Sequence, residues 1–195
     1  MSPKDEGELR DMLLTSIETE GAAAIRYPRG NGFGVDISQE PKMLEIGKGE
    51  ILRDGGEIAI IAYGSMVYPS VEAAENLSKA GIETTVVNAR FVKPLDSELI
   101  LALAQSKRLI VTVEEAYLAG GFGSAVMELL EENGMLDTVK IVRIGVPDRI
   151  VTHGDPKLLL AKYGLDADGI YNKVRETIEI LEERRAGKKR LKALR

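Results

Sequence analysis

The strongest constraint on the fold of this chain is the regular alternation of short apolar runs with helical patterns between residues 49 and 144. The apolar runs indicate buried strands, whereas the segments between them repeat apolar residues at helical spacing. Such alternation predicts right-handed crossovers and a mainly parallel sheet covered by helices, so we expect an α/β protein with a three-layer αβα sandwich. The predicted strands are 49–52, 57–63, 84–88, 109–113 and 139–144, and the predicted helices are 66–80, 96–105, 121–132, 156–163 and 168–185.

A turn signal lies between the first two predicted strands, in the sequence Arg53-Asp54-Gly55-Gly56. Asp-Gly is a strong signal for the two-residue turn of an antiparallel hairpin. We therefore expect these two strands to pair as a hairpin, which gives the sheet one antiparallel edge strand.

The first 35 residues predict one helix and one strand. Ser2 is the expected N-cap of a helix that continues to about Glu20, and the apolar run 22–25 indicates a buried strand. One helix and one strand cannot enclose a core, so we expect them to be the tail end of a larger α/β domain. The expected organisation is a domain remnant at 1–35, a linker at 36–48, a C-terminal domain at 49–181 and a basic tail at 182–195.

Composition and charge exclude several classes of function. The chain has no cysteine and one histidine, His153, which excludes a disulfide framework, a thiolate nucleophile and a metal centre built from imidazoles. The net charge is −5, but residues 182–195 hold seven basic and two acidic residues, so the remaining body is strongly acidic. An acidic body argues against a nucleic-acid partner. No run approaches the roughly 18 apolar residues of a membrane helix, so we expect no membrane partner and a cytoplasmic protein.

The main candidate for a binding site is the sequence Arg26-Tyr27-Pro28-Arg29-Gly30. Two guanidinium groups flank a proline of fixed φ, and the flexible sequence Gly30-Asn31-Gly32-Phe33-Gly34 follows. A guanidinium group presents a planar set of donors that matches a phosphate or a carboxylate. The segment therefore predicts an anion site, and surface arginines at the end of a strand are the alternative interpretation.

A second glycine-rich segment follows Glu114 and Glu115, where Gly120 to Gly123 begins a predicted helix. A helix start of this kind can bind an anion, but glycines also permit close packing, and the two carboxylates would repel an anion. We favour close packing. Glu114 and Glu115 are expected to face solvent or an interface rather than to share a site.

Two further polar groups have structural explanations that we favour. Arg90, Lys93 and Asp96 could form a second anion site, but a crossover with Asp96 as a helix N-cap accounts for them more simply. The loop that contains Asp148, Arg149 and His153 is expected to be a hydrogen-bonded structural loop, followed by Asp155 as the cap of the next helix.

Several segments resemble one enzyme family. The sequences TVEE (112–115), GGFGSAV (120–126), NARFVKPLDSELI (88–100) and IGVPDRIVTHG (144–154) resemble the C-terminal domain of the transketolase-like, thiamine-diphosphate-dependent enzymes. Within that group, AAAIRYPRGNG (22–32) is similar to the 1-deoxy-D-xylulose-5-phosphate synthases. The opening MSPKDEGELRDML (1–13) resembles the end of their pyrimidine-binding domain, and GLDADGI (164–170) resembles their closing segment.

The resemblance implies that this chain is the C-terminal part of a longer homodimeric enzyme. That enzyme condenses pyruvate with glyceraldehyde 3-phosphate and releases CO₂, using thiamine diphosphate and Mg, at the start of isoprenoid, thiamine and pyridoxal biosynthesis. The family's activating glutamate, metal ligands and catalytic histidines belong to the preceding part, so the resemblance implies no catalytic, cofactor-binding or metal-binding residue here. His153 is therefore not assigned as a base, and the isolated chain is expected to be inactive and to bind no cofactor.

The resemblance also assigns roles to the two arginines. Arg29 matches the family's contact to the phosphate of the acceptor aldehyde, where it would hold the substrate at a distance from the reacting carbon. Arg26 could share that role or could pair with a carboxylate on the neighbouring domain, and we favour a structural role for it. The alternative function is a non-catalytic assembly or dimerisation domain of another transketolase-like enzyme, such as transketolase or an oxoacid dehydrogenase beta subunit.

Overall fold

The computed structural model describes residues 1–193, with side-chain surroundings described as far as residue 186. Five strands and six α-helices follow one another along these residues, and a short 3₁₀ turn, Gly64–Met66, precedes the second helix. The strands are β1 (Glu50–Arg53), β2 (Ile58–Tyr63), β3 (Thr84–Asn88), β4 (Leu109–Tyr117) and β5 (Lys140–Val146). The helices are α1 (Glu6–Glu18), α2 (Val67–Lys79), α3 (Ser97–Ser106), α4 (Phe122–Glu132), α5 (Pro156–Lys162) and α6 (Ala167–Ala193).

The five strands form one sheet in the order β1-β3-β2-β4-β5. The pairs β2–β3, β2–β4 and β4–β5 are parallel, and β1 is antiparallel to β3 at the edge of the sheet. This arrangement confirms the predicted sheet, which is mainly parallel with one antiparallel edge strand.

The predicted hairpin between β1 and β2 is wrong. β1 pairs with β3, with Ile51 opposite Val87, so β3 separates β1 from β2. The N–H of Gly55 donates to the hydroxyl of Thr85 over 3.1 Å, and a Cβ at Gly55 would lie 2.7 Å from the backbone oxygen of Thr84. The Asp-Gly signal therefore marks a close crossing over the start of β3 rather than a two-residue turn.

Helices cover both faces of the sheet, which gives the three predicted layers. Ile58, Ile60 and Ala62 of β2 contribute to a core with α2 and α6, and the alternate residues Ala59 and Ile61 contribute to a second core with α3 and α4. Because both faces are covered, all six residues of β2 are buried and its sequence is apolar throughout.

The N-terminal segment differs from its prediction in two respects. The N-cap of α1 is Asp5, whose side chain accepts from the N–H of Glu8 over 2.8 Å, so Ser2 is not the cap. Residues 22–25 form no strand and are largely exposed, because among the described residues they have no neighbouring strand with which to pair. The contacts near them are the backbone hydrogen bonds from Met1 to Ala24 and from Arg26 to Met1.

A charged cluster, here called the junction, joins the N-terminal segment to the sheet. Glu8 of α1 is buried and accepts from the Nδ2 of Asn88 over 2.8 Å and from the Nε of Arg90 over 2.7 Å. Glu50 of β1 accepts from Arg90 over 2.8 Å and from the Nζ of Lys4 over 2.9 Å. The junction places the N-terminus of α1 beside the carboxyl end of β3.

The C-terminal region continues as a helix into the predicted basic tail. α6 spans Ala167–Ala193, so the tail begins inside the helix, and residues 194 and 195 lie outside the described residues. None of the described helices combines the length and the apolar character that crossing a membrane requires.

Candidate substrate-binding site

The arginine loop, defined here as residues 26–35, forms one wall of a cavity of about 380 Å³. The start of α1 forms a second wall, and Ser65, just beyond the carboxyl end of β2, contributes from the sheet. The charged residues that line the cavity are Lys4, Asp5, Glu6 and Arg29. The structure thus brings the predicted anion site next to the carboxyl edge of the parallel strands, where α/β proteins bind ligands.

Three of these four charged side chains are engaged in contacts that stabilise the fold. Lys4 forms ion pairs with Glu8 and Glu50 in the junction. The carboxylate of Asp5 accepts from the N–H of Glu8 and from the hydroxyl of Tyr68, the latter over 2.8 Å.

Glu6 binds the backbone of the arginine loop. Its Oε2 accepts from the N–H of Phe33 over 2.9 Å, and its Oε1 accepts from the N–H groups of Gly34 over 2.6 Å and Val35 over 3.0 Å. Hydrogen bonding from its own backbone N–H, and then from these three amides, holds the pKa of Glu6 below its usual value. Both oxygens of this carboxylate are therefore used by the loop.

Arg29 is the remaining charged group of the cavity. Its side chain is exposed and lines the cavity, and it forms no ion pair with any described residue. Because Lys4, Asp5 and Glu6 are held by other described residues, the guanidinium group of Arg29 is the charged group of the cavity whose donors are available to an incoming anion.

Arg26 fixes the other end of the arginine loop. Its guanidinium group donates to the backbone carbonyl of Glu115, and its own carbonyl accepts from the hydroxyl of Ser2 over 2.7 Å. The guanidinium charge also lies near Tyr63, whose pKa burial raises to about 12. Arg26 thus points to β4 rather than into the cavity, and the structure does not bring the two arginines together on one ligand position.

Glu114 is buried, which corrects the expectation that it faces solvent or an interface. Only 1% of its surface is exposed, and its carboxylate accepts from the N–H groups of Phe122 over 2.6 Å and Gly123 over 2.8 Å. Burial raises the pKa of Glu114, although these two amides act in the opposite direction. A Cβ at Gly121 would lie 2.2 Å from this carboxylate, so the glycine-rich start of α4 is packed closely around the chain's own anion.

The side chain of Glu115 does not bind the start of α4 but contacts Ser65. Its Oε2 accepts from the hydroxyl of Ser65 over 2.6 Å, next to the cavity. The two adjacent glutamates therefore do not share a site, as their alternation along β4 predicts.

The other polar groups singled out in the sequence do not line the cavity. Arg90 belongs to the junction, and Asp96 caps α3 by accepting from the N–H of Leu99 over 3.1 Å, so residues 90–96 form the predicted crossover. Arg149 lies 5.2 Å from the ring centre of Tyr163, and His153 is exposed in the loop before α5. Among the side chains that the structure describes, no group of three or more His, Cys, Asp or Glu is placed to hold a metal ion.

The sheet order, the helices on both faces and the cavity at the carboxyl edge define the architecture of a transketolase-type C-terminal domain, and the comparisons agree. The chain belongs to the family described as "Transketolase, C-terminal domain", whose sequence profile matches residues 47–170. A solved structure described as a split gene transketolase, inactive beta4 tetramer, is 32% identical with a TM-score of 0.77, covering 90% of this chain and 56% of that one. A transketolase mutant from Pichia stipitis, 19% identical over 69% of this chain and 18% of that one, has a TM-score of 0.51 and shows the fold alone.

The curated relatives narrow the comparison to one enzyme. The chain is 57% identical to 1-deoxy-D-xylulose-5-phosphate synthase 1 of Geobacter metallireducens, over 90% of this chain and 28% of that protein. It is 54% identical to 1-deoxy-D-xylulose-5-phosphate synthase of a Synechococcus strain, over 95% of this chain and 29% of that protein. The resemblance seen in the sequence is confirmed, and the chain spans less than a third of the length of these relatives.

The sequence singled out Arg26 and Arg29 as candidates but gave no indication of Glu6, whose carboxylate holds the arginine loop. Glu6 is separated from Phe33 by 27 positions, and no local pattern links a helix start to a loop so far along the chain. The cap of α1 did have a signal, because Asp5 followed by Glu8 has the spacing of a capping box.

Proposed function

We propose that this chain is the C-terminal part of a 1-deoxy-D-xylulose-5-phosphate synthase. That enzyme would act in the cytoplasm as a homodimer, condensing pyruvate with glyceraldehyde 3-phosphate and releasing CO₂. The proposal is supported by more than 50% identity to synthases over most of the chain. The same relatives make an assembly domain of transketolase or of an oxoacid dehydrogenase the weaker alternative.

The role that we propose for Arg29 is to bind the phosphate of the acceptor aldehyde. The observation that carries this proposal is the charge distribution of the cavity, in which Lys4, Asp5 and Glu6 have internal partners and Arg29 is exposed. Arg29 would hold the aldehyde by its distant end, so that binding energy is used to orient the reacting carbon. Arg26 would act through the backbone of Glu115 by holding the loop.

The proposed cofactor, thiamine diphosphate with Mg, is assigned to the preceding domains of the synthase. When bound, thiamine diphosphate supplies the carbanion chemistry that the reaction needs. The residues described here do not fit such a group, since they bring together no acidic cluster that could hold its metal. We therefore assign no step of the cofactor chemistry to this chain.

We also infer that the chain is inactive when isolated and contributes contacts to the other domains and to the dimer. The similar split gene transketolase chain is described as an inactive beta4 tetramer, which supports inactivity of a comparable piece. The junction, which joins α1 to the sheet, supports a role in connecting two domains.

The test of the proposed function is the variant Arg29→Ala in the complete synthase. Loss of a charge-assisted hydrogen bond costs about 1.5–3 kcal/mol, so we expect the KM for glyceraldehyde 3-phosphate to rise about 10- to 100-fold. The rate of pyruvate decarboxylation should stay unchanged, because the phosphate anchor lies away from the reacting carbon.

Two control variants complete this test. Arg29→Lys keeps the charge but loses the planar pair of donors and should show an intermediate KM. Arg185→Ala removes an exposed arginine on α6 and should leave the KM unchanged. An acceptor KM for Arg29→Ala equal to that of Arg185→Ala would remove the phosphate assignment.

A further inference from the structure

We propose that Glu6 is a positioning residue for Arg29, because its carboxylate holds the arginine loop in the conformation that presents the guanidinium group to the cavity. This inference rests on the proposed function of Arg29. It adds to that function a residue from a different element, the first turn of α1, which touches no substrate itself.

The hydrogen bonds of Glu6 are concentrated on the part of the loop that follows Arg29. Three consecutive N–H groups, those of residues 33–35, donate to one carboxylate at 2.6 to 3.0 Å. A charged acceptor that receives several backbone N–H groups forms stronger hydrogen bonds than a neutral one. Together with the backbone N–H of Glu6 itself, these bonds favour the ionised carboxylate and lower its pKa.

The packing around Glu6 requires the glycine at position 32. A Cβ at Gly32 would lie 2.5 Å from the Cδ and 2.6 Å from both oxygens of Glu6. The next residue, Phe33, places its ring 4.4 Å from the ring of Tyr68 on α2. The loop therefore fits closely against the start of α1 and is fixed on its far side by an aromatic contact.

Arg29 lies between two fixed points of the chain. On one side, Arg26 is held by Ser2 and by the carbonyl of Glu115, and on the other side residues 33–35 are held by Glu6. The span between them contains Gly30 and Gly32, which have no side chain to restrict it. Without the contact to Glu6, the far end of the span would be held only by the ring contact of Phe33 with Tyr68, and Arg29 would be less firmly positioned before the phosphate arrives.

The experiment compares Glu6→Gln with Glu18→Gln, a matched change near the other end of the same helix, where the side chain is exposed. Glutamine has the same shape, but its NH₂ group cannot accept from the loop amides, so part of the contact is lost. In the complete synthase we expect Glu6→Gln to raise the acceptor KM roughly five- to thirty-fold, with kcat and pyruvate decarboxylation unchanged. Glu18→Gln should match the parent protein.

A second variant and a second measurement separate positioning from loss of the fold. In Gly32→Ala the added methyl group would collide with the carboxylate of Glu6 and displace it from the loop N–H groups. This variant should therefore raise the acceptor KM in the same way. In the isolated chain, trypsin should cut after Arg29 at least five times faster in Glu6→Gln than in Glu18→Gln, since the bond lies in the released span. The cleavage rate is measured without substrate, so it does not depend on whether Arg29 binds a phosphate.

The outcomes distinguish failure of this inference from failure of the proposed function. If Arg29→Ala leaves the acceptor KM unchanged, the proposed function fails, and with it the positioning role. If Arg29→Ala raises the KM while Glu6→Gln and Gly32→Ala stay within twofold of the parent, the phosphate site stands and the role of Glu6 is overturned. Equal trypsin rates in Glu6→Gln and Glu18→Gln would also overturn it.

Discussion

Glu114 places an ionisable side chain inside the protein, where β4 leads into α4. Its two hydrogen bonds satisfy N–H groups at the start of the helix, which have no acceptor within the helix itself. The positive end of the helix dipole also favours a negative group at this position. Burial nevertheless opposes ionisation and raises the pKa of Glu114, so the contact combines a strong local interaction with a cost of desolvation.

Replacement of Glu114 by alanine should destabilise the protein. Each buried N–H that loses its acceptor costs about 1–3 kcal/mol, so for two such groups we expect the free energy of unfolding to fall by about 2–6 kcal/mol in a denaturant titration. Glu114→Gln retains one acceptor oxygen and should lose less than half of that. A loss below about 1 kcal/mol in Glu114→Ala would contradict the structural role assigned to these hydrogen bonds.

At the scale of residues, the sequence indicated the arginine of the candidate site but not the glutamates that hold the surrounding backbone in place. Arg29 stands out because arginine, proline and glycine carry strong local preferences that a single segment displays. Glu6 and Glu114 could not be assigned, because each contact depends on how distant parts of the chain meet in three dimensions. A glutamate near a helix start or at the end of a strand is compatible with a free, solvated side chain, and only the fold shows that Glu114 is buried and that Glu6 binds the loop.

At the scale of elements, Asp96 connects α3 to the segment that enters β1. Its Oδ1 accepts from the N–H of Leu99 over 3.1 Å, and its Oδ2 accepts from the N–H of Gly49 over 2.9 Å. A single carboxylate thus caps the helix and holds the chain just before the edge strand.

The variant Asp96→Ala should show the effect of losing both contacts. Removal of an N-cap costs about 0.5–2 kcal/mol, and the lost acceptor for Gly49 adds to it, so we expect a loss of about 2 kcal/mol in the free energy of unfolding. Asp155→Ala removes the N-cap of α5, whose carboxylate binds two N–H groups of its own helix at an exposed position, and should cost less. Equal losses in the two variants would show that the bond to Gly49 contributes nothing.

The elements themselves were largely predictable, whereas one strand pairing was not. β3 lies within the predicted bounds, and α2, α3 and α4 begin and end close to theirs, because caps and glycine stops are local signals. The position of β1 in the sheet was predicted wrongly. The Asp-Gly turn signal describes only the adjacent residues and cannot show that β3 lies between β1 and β2. Residues 22–25 have the composition of a buried strand, but a strand forms only where a partner is present.

At the scale of the whole molecule, the junction determines how the N-terminal segment sits on the C-terminal domain. The ion pairs link Glu8, Arg90, Glu50 and Lys4 in a closed ring of alternating charge, and Asn88 donates a further hydrogen bond to Glu8. Arg90 has a φ of 55°, an uncommon value for a residue other than glycine, which the surrounding contacts maintain.

Replacement of Glu8 by alanine should loosen this connection. Removing one partner of a buried ion pair costs about 3–5 kcal/mol, and since Arg90 retains Glu50 we expect the lower end of that range. Hydrogen exchange should increase in α1 and remain slow in β2, because the two cores of the sheet do not include α1.

The control for this variant is Glu98→Ala, which removes an ion pair with Lys48 from an exposed position. Exposed ion pairs contribute about 0–1 kcal/mol, so this change should have little effect on stability. Unchanged exchange in α1 of Glu8→Ala would show that the junction does not hold the N-terminal segment.

The carboxylate of Glu114 occupies the N–H groups at the start of α4, which limits where this domain can bind an anion. In many α/β proteins, a helix start at the carboxyl edge of the sheet binds a phosphate. Here a side chain of the protein itself occupies that position, so an incoming phosphate would meet a negative group there. Engineering of new anion recognition into this domain should therefore begin at the arginine loop, where the free positive charge lies, and leave the start of α4 untouched.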